Sequence, residues 1–225
     1  ARSWTRRCRT INNIQICRAW RRPSSILINS LKISRSKIRS GLAGNGTRVG
    51  LLGGSFNPAH DGHLHISRQA LMRLGIDKIW WLVSPQNPLK SEKNMAPFKK
   101  RFINAKLAAT DSRIIVTDLE DRAGTRFTID TLCMLREFFP ENKFVWIMGA
   151  DNLIEFPRWQ GWEQLFTLVP IAVFDRAPYS AQALSGKAAT MFAKNRLLNR
   201  KARNLADFKT PVWSFFQTPP HAGTA

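Results

Sequence analysis

Gly53-Gly54-Ser55-Phe56-Asn57-Pro58-Ala59-His60-Asp61-Gly62-His63 is a glycine-rich, histidine-bearing segment set between two apolar patterns. It follows directly on a short apolar run at 49–53. It precedes a segment in which Leu64, Ala70, Leu71 and Leu74 recur at helical spacing. A strand, a glycine-rich turn and a helix in that order make the first unit of a sheet with crossover helices. Paired glycines allow a tight turn and close approach of a ligand to the backbone. The helix beginning near Gly62 offers unpaired N–H groups and the positive end of its dipole to an anion. His60 and His63 stand at the same place and can offset negative charge that develops on a phosphate, as neutral or charged donors. The plainer alternative is a turn that merely closes a connection, with surface histidines. The His-x-Gly-His spacing directly behind the glycines weighs against it. His65 reads as an ordinary helix residue, and His221 has no motif around it.

Outward from this turn the pattern repeats. Strand candidates are 49–53, 78–83, 113–117, 144–148, 171–174 and 212–216. Helical patterns lie between them, the clearest being Phe127, Ile129, Leu132, Leu135 and Phe138. The architecture expected is α/β, a doubly wound parallel sheet of Rossmann-like type. Such sheets bind ligands beyond the carboxyl ends of strands, where the strand order reverses.

Composition is that of a folded protein, with 44% hydrophobic and 22% charged residues in 225. No apolar run reaches the about eighteen residues that a membrane helix needs. Three cysteines, Cys8, Cys17 and Cys133, fit neither a paired disulfide framework nor zinc-ligand spacing. A reducing, cytoplasmic setting is expected. The net charge of +20 first suggests a nucleic-acid partner. However, residues 1–47 hold 11 of the 35 Lys and Arg and none of the acids, which leaves +9 for the rest. Residues 1–47 therefore read as a basic extension, disordered or foreign to the natural protein, a transit-like segment, or a nucleic-acid-binding arm. Gly41, Gly44 and Gly46 form its joint to the body at 48–225.

The turn resembles the signature of the nucleotidylyltransferase superfamily, in which both motif histidines contact ATP phosphates. The resemblance implies nucleotide contacts at Gly53, Gly54, Ser55, Phe56, His60 and His63, with the two histidines catalytic. Asn57 stands where many members have Asp. Later segments resemble the bacterial nicotinate-mononucleotide adenylyltransferases. Ser84-Pro85-Gln86-Asn87-Pro88-Leu89-Lys90 is similar to their Asn-Pro-x-Lys loop, which implies a contact of Lys90 with polyphosphate; alone, it reads as a solvated Lys in a Pro-bounded loop. Phe127-Thr128-Ile129-Asp130-Thr131-Leu132 is similar to their Tyr/Phe-Thr-Ile-Asp-Thr-Leu helix start. Thr128 is expected at the N-cap there, and the resemblance makes it a contact for the nicotinate carboxylate. Gly149-Ala150-Asp151 resembles the Gly-x-Asp motif, which implies close approach at Gly149 and acceptance from ribose hydroxyls by Asp151.

Phe156-Pro157-Arg158-Trp159-Gln160-Gly161-Trp162 resembles the Phe-x-x-Trp-x-x-Trp segment of the same enzymes. Trp159 is expected to stack on the pyridine ring, and Trp162 to be a core residue. In the family a C-terminal helix start with hydroxyls and an Arg also holds ATP phosphates. Thr224 is read as a remnant of that motif, with the Arg and its helix missing, so weakened ATP binding by this chain is expected.

The resemblance implies transfer of AMP from ATP to nicotinate mononucleotide, giving deamido-NAD and pyrophosphate in NAD biosynthesis. Mg²⁺ is expected to come with ATP, since no carboxylate cluster forms a dedicated metal cage. The partners expected are ATP and the pyridine nucleotide, with no membrane and no nucleic acid. Alternatives are transfer to another phosphorylated acceptor, or a basic nucleic-acid-binding protein that has lost catalysis.

Overall fold

A computed structural model describes residue 39, residues 41 and 42, residues 44–86 and residues 95–217. Seven strands form one parallel sheet: β1 (Arg48–Gly54), β2 (Lys78–Val83), β3 (Ile114–Thr117), β4 (Lys143–Gly149), β5 (Ile171–Phe174), β6 (Arg196–Leu197) and β7 (Trp213–Phe216). Their order is β3-β2-β1-β4-β5-β7-β6. The expected doubly wound α/β sheet is what the chain forms. All six candidate strands are present to within a residue or two, and the two-residue β6 is an addition beyond them.

The helices are α1 (Asp61–Arg73), α2 (Phe98–Ala108), α3 (Leu119–Ala123), α4 (Thr128–Phe138), α5 (Ala150–Glu155), α6 (Trp162–Leu168), α7 (Ser180–Ser185) and α8 (Lys187–Met191). The central strands are buried on both faces and so read as continuous apolar runs. Successive side chains of β2 show why. Trp80 joins the core layer that includes Leu132 and Leu135 of α4, and Trp81 joins the opposite layer with Ala70 and Leu71 of α1. Both indoles are 0% exposed, so truncating either would cost about 3–5 kcal/mol.

Strand order reverses between β1 and β4, which pair in parallel with Leu52 opposite Ile147. The Gly53–His63 turn leaves β1 toward the α1 face. The 127–132 and 156–162 segments lie on the α4 face, so the switch point opens between the two groups of motif residues.

Candidate active site

The turn owes its shape to a phenylalanine rather than to its glycines. Gly53 and Gly54 end β1, while Phe56 takes φ +46°, the left-handed region in which a side chain costs on the order of 1–3 kcal/mol. This corrects the expectation that the paired glycines make the bend. Gly53 serves close approach instead: a Cβ there would stand 2.6 Å from Cη2 of Trp146. Phe56 is 1% exposed, and its ring lies 4.7 Å from His63 and 5.1 Å from Trp81, nearly parallel to the latter. Trp81 Nε1 donates to Ser67 Oγ at 2.8 Å, and that hydroxyl donates to the carbonyl of His63 at 2.8 Å. A buried aromatic column thus fixes the first two turns of α1.

The two histidines cap α1 reciprocally. His60 is the N-cap, and its Nδ1 accepts from the backbone N–H of Gly62 at 3.1 Å. The backbone N–H of His60 donates to Nδ1 of His63 at 3.3 Å. Two imidazoles take the parts that Ser/Thr and Glu/Gln usually take in a capping box. Because both Nδ1 atoms accept, the hydrogen-bond pattern assigns the ring proton of each neutral imidazole to Nε2. Burial first, and then the nearby Arg176 guanidinium, holds the His60 pKa below the ordinary imidazole value, against the opposing pull of Asp61. Between the neutral and charged forms left open by the sequence, this environment favours the neutral one. The rings are 4.0 Å apart and stand at the helix N-terminus, where anions are favoured.

Across the switch point, Gly149 and Asp151 sit at the junction of β4 and α5. Asp151 Oδ2 accepts from Arg176 Nη1 at 2.9 Å, and its Oδ1 is buried with no hydrogen-bond partner. A buried lone acceptor beside Gly149 fits a hydroxyl donor. Arg176 follows β5, and no motif of the sequence marks it. A cation just past a strand end looks like any surface residue until topology brings β5 next to β4.

On the α4 face, Thr128 proves to be the first helical residue, with Phe127 as N-cap and no side-chain cap. This corrects the N-cap expectation; the extended backbone of Phe127 places the helix start one residue earlier. Trp159 is half-buried, edge-on to Trp146 at 6.1 Å and against Phe156 at 5.0 Å. Trp162 is 8% exposed and belongs to the core, as expected. Gly161 touches α4 so closely that a Cβ would lie 2.5 Å from Ile129 Cδ1. These contacts run from Thr128 and Ile129 through Gly161 to Trp159, and from Trp159 through Trp146 to Gly53. One connected wall therefore joins the two halves of the crevice. Lys90 and Thr224 lie outside the described residues. Among the described residues no group of three or more His, Cys, Asp or Glu is arranged to hold a metal ion.

A doubly wound parallel sheet with two histidines at the helix N-terminus beside its switch point defines a nucleotide-phosphate-handling class of enzyme. The chain belongs to the Cytidylyltransferase-like family, whose profile matches residues 51–217. Among its relatives, a protein of Parvibaculum lavamentivorans named "Probable nicotinate-nucleotide adenylyltransferase" is 48% identical over 180 residues, covering 80% of this chain and 90% of the relative. One of the same name from Methylorubrum extorquens is 49% identical over 78% of this chain and 95% of its own. A similar solved structure is Plasmodium falciparum nicotinic acid mononucleotide adenylyltransferase complexed with NaAD. Its TM-score is 0.58 at 19% identity, over 78% of this chain and 77% of that one, a likeness of fold.

Proposed function

We infer that the chain is a nicotinate-nucleotide adenylyltransferase, transferring AMP from ATP to nicotinate mononucleotide to give deamido-NAD and pyrophosphate in NAD biosynthesis. An oxygen of the mononucleotide 5′-phosphate forms a bond to the α-phosphorus of ATP. The bond from that phosphorus to the bridging oxygen breaks, and pyrophosphate departs with its electrons. No protein nucleophile is needed, so catalysis falls to positioning and to donors matched to developing charge.

The observation that carries the site assignment is the reciprocal His60–His63 cap. It fixes both rings at the α1 N-terminus with the proton of each neutral ring on Nε2, the donor a polyphosphate needs. On this reading Gly53, Gly54, Ser55 and Phe56 let the phosphates approach. The unpaired Oδ1 of Asp151 beside Gly149 takes a ribose hydroxyl, and Arg176 lends positive charge between them. Trp159 offers its face to the pyridine ring, and the start of α4 at Thr128 offers donors to the nicotinate carboxylate. Lys90 and Thr224 belong to the same proposal as further contacts to polyphosphate. Mg²⁺ is proposed to arrive with ATP and to neutralise polyphosphate charge when bound, carried by the nucleotide rather than by a dedicated carboxylate cage.

A cytoplasmic setting is part of the proposal. Among the described residues no helix is long and apolar enough to cross a membrane. Pyrophosphate release measured with ATP and each pyridine mononucleotide in turn tests the reading; release requiring a different acceptor would replace it.

A further inference from the structure

Arg101, on the second turn of α2, is 1% exposed, a rare environment for a guanidinium. Its Nη1 donates to the carbonyls of Ser55 at 2.5 Å and Ser84 at 2.8 Å. Nη2 donates to Pro85 at 2.7 Å, and Nε to Ala96 at 2.9 Å. Burial pulls its pKa down. A cation held in this way by four backbone carbonyls contributes shape. It draws the exits of β1 and β2 and the approach to α2 onto one planar fork.

The Ser55 carbonyl belongs to the peptide plane whose orientation relative to the next Cα is the φ of Phe56. That φ is +46°, a conformation that persists only where its surroundings over-determine it. The neighbouring atoms close a circuit. Ala96 accepts from Arg101 through its carbonyl, and its N–H donates to Asn57 Oδ1 at 3.1 Å. The turn is thereby gripped on both sides of Phe56, at Ser55 and at Asn57, and the Phe56 ring lies 4.7 Å from His63.

We propose that Arg101 is a positioning residue for adenylyl transfer: with Asn57 and Ala96 it clamps the Ser55–Phe56–Asn57 bend, and through the Phe56 ring it sets His63 and the histidine cap. Arg101 acts through the turn it holds, its guanidinium being occupied by four backbone carbonyls. Its catalytic consequence rests on the proposed role of the histidines.

Arg101→Lys keeps charge and reach but replaces a planar fork by three tetrahedral donors. In the full chain its kcat should fall about 10–100-fold, the scale of a sub-ångström misplacement of catalytic groups, with KM for nicotinate mononucleotide within about threefold of the parent. Stoichiometry of ATP binding, from tryptophan fluorescence, should stay at the parental value. Asn57→Ala, an exposed and milder change, should lower kcat about 3–10-fold and add less than about twofold on top of Arg101→Lys, because both act on one clamp. Asn57→Asp, which restores an acceptor for the Ala96 N–H, should recover most of that loss.

Nitrogen-15 spectra of the histidine side chains provide a readout independent of turnover. The parent should show His60 and His63 as single Nε2–H tautomers, and Arg101→Lys or Asn57→Ala should mix them. A kcat loss proportional to lost ATP stoichiometry, multiplicative losses in the double variant, or unchanged tautomers in a folded variant would each overturn the proposal. A parent with these tautomers but no pyrophosphate release would leave the clamp standing and reject the reaction.

Discussion

The imidazole of His60 occupies the place that a side chain on Gly62 would need: a Cβ on Gly62 would stand 2.9 Å from both Nδ1 and Cε1 of that ring. Gly62 lies in the first turn of α1, where alanine would normally be favoured by about 1 kcal/mol. The missing side chain is therefore a condition of the histidine cap rather than of the helix.

Gly62→Ala should leave the thermal midpoint close to parental while pushing the His60 ring off its cap, with kcat falling at least about tenfold. Circular dichroism melts beside steady-state rates check this. A variant that melts and turns over like the parent would show that the cap does not matter to the reaction.

His63→Ala, and to a smaller degree His60→Ala, should lower kcat about 10²–10³-fold, because the donors matter most in the transition state. Near-parental turnover in both variants removes the histidines from the mechanism.

The lowered His60 pKa makes stability depend on pH. A histidine kept neutral on folding contributes stability that is complete above its unfolded value near 6.5 and is lost as pH falls through the lower folded value. The parent's advantage in melting temperature over His60→Ala should therefore be constant at alkaline pH and shrink only below about 6.5. An advantage that grows on acidification would mean the folded pKa is raised.

Trp159→Ala should weaken binding of nicotinate mononucleotide while leaving ATP affinity nearly unchanged, since the exposed ring face serves one substrate. Loss of a stacking contribution of about 0.5–1.5 kcal/mol predicts roughly a 2–13-fold rise in Kd. Calorimetric titration of both ligands decides it, and equal weakening would point to a disturbed domain.

Glu120 provides a second pH test. Burial lifts its carboxyl to about 7, against the lowering pull of hydrogen bonds from Thr131 and Ser84. A carboxyl with a raised folded pKa contributes stability that is full below its unfolded value and is lost as pH rises through about 7. Glu120→Gln should therefore flatten the stability profile between about 4.5 and 7 and exceed the parent's stability at pH 8. Parallel denaturation profiles for the two proteins would show that the group is ionised throughout.

Much of this was legible in sequence because the strands and motifs are local signals. An apolar run such as Ile79–Val83 has one reading in an alternating pattern, and His-x-Gly-His keeps its meaning wherever it follows a strand. What escaped is non-local. Arg101 stands in Phe98-Lys99-Lys100-Arg101, a basic run that reads as a solvated helix face, and only tertiary packing puts it under four carbonyls. Glu120 and Arg176 look like surface charges for the same reason. The strand β6 has two residues and one apolar side chain, too short for any period to register. Sequence points to the glycines for the bend at Phe56, because it records which residues tolerate positive φ and not which are forced into it.

Pyrophosphate release from ATP can be followed with nicotinate mononucleotide, nicotinamide mononucleotide or no acceptor, and the product identified by mass. An adenylyltransferase of this kind should give deamido-NAD and stoichiometric pyrophosphate with the nicotinate substrate and a slower rate with the nicotinamide one. Pyrophosphate release that ignores the pyridine nucleotide, or none from a folded chain that binds ATP, would contradict the proposed reaction.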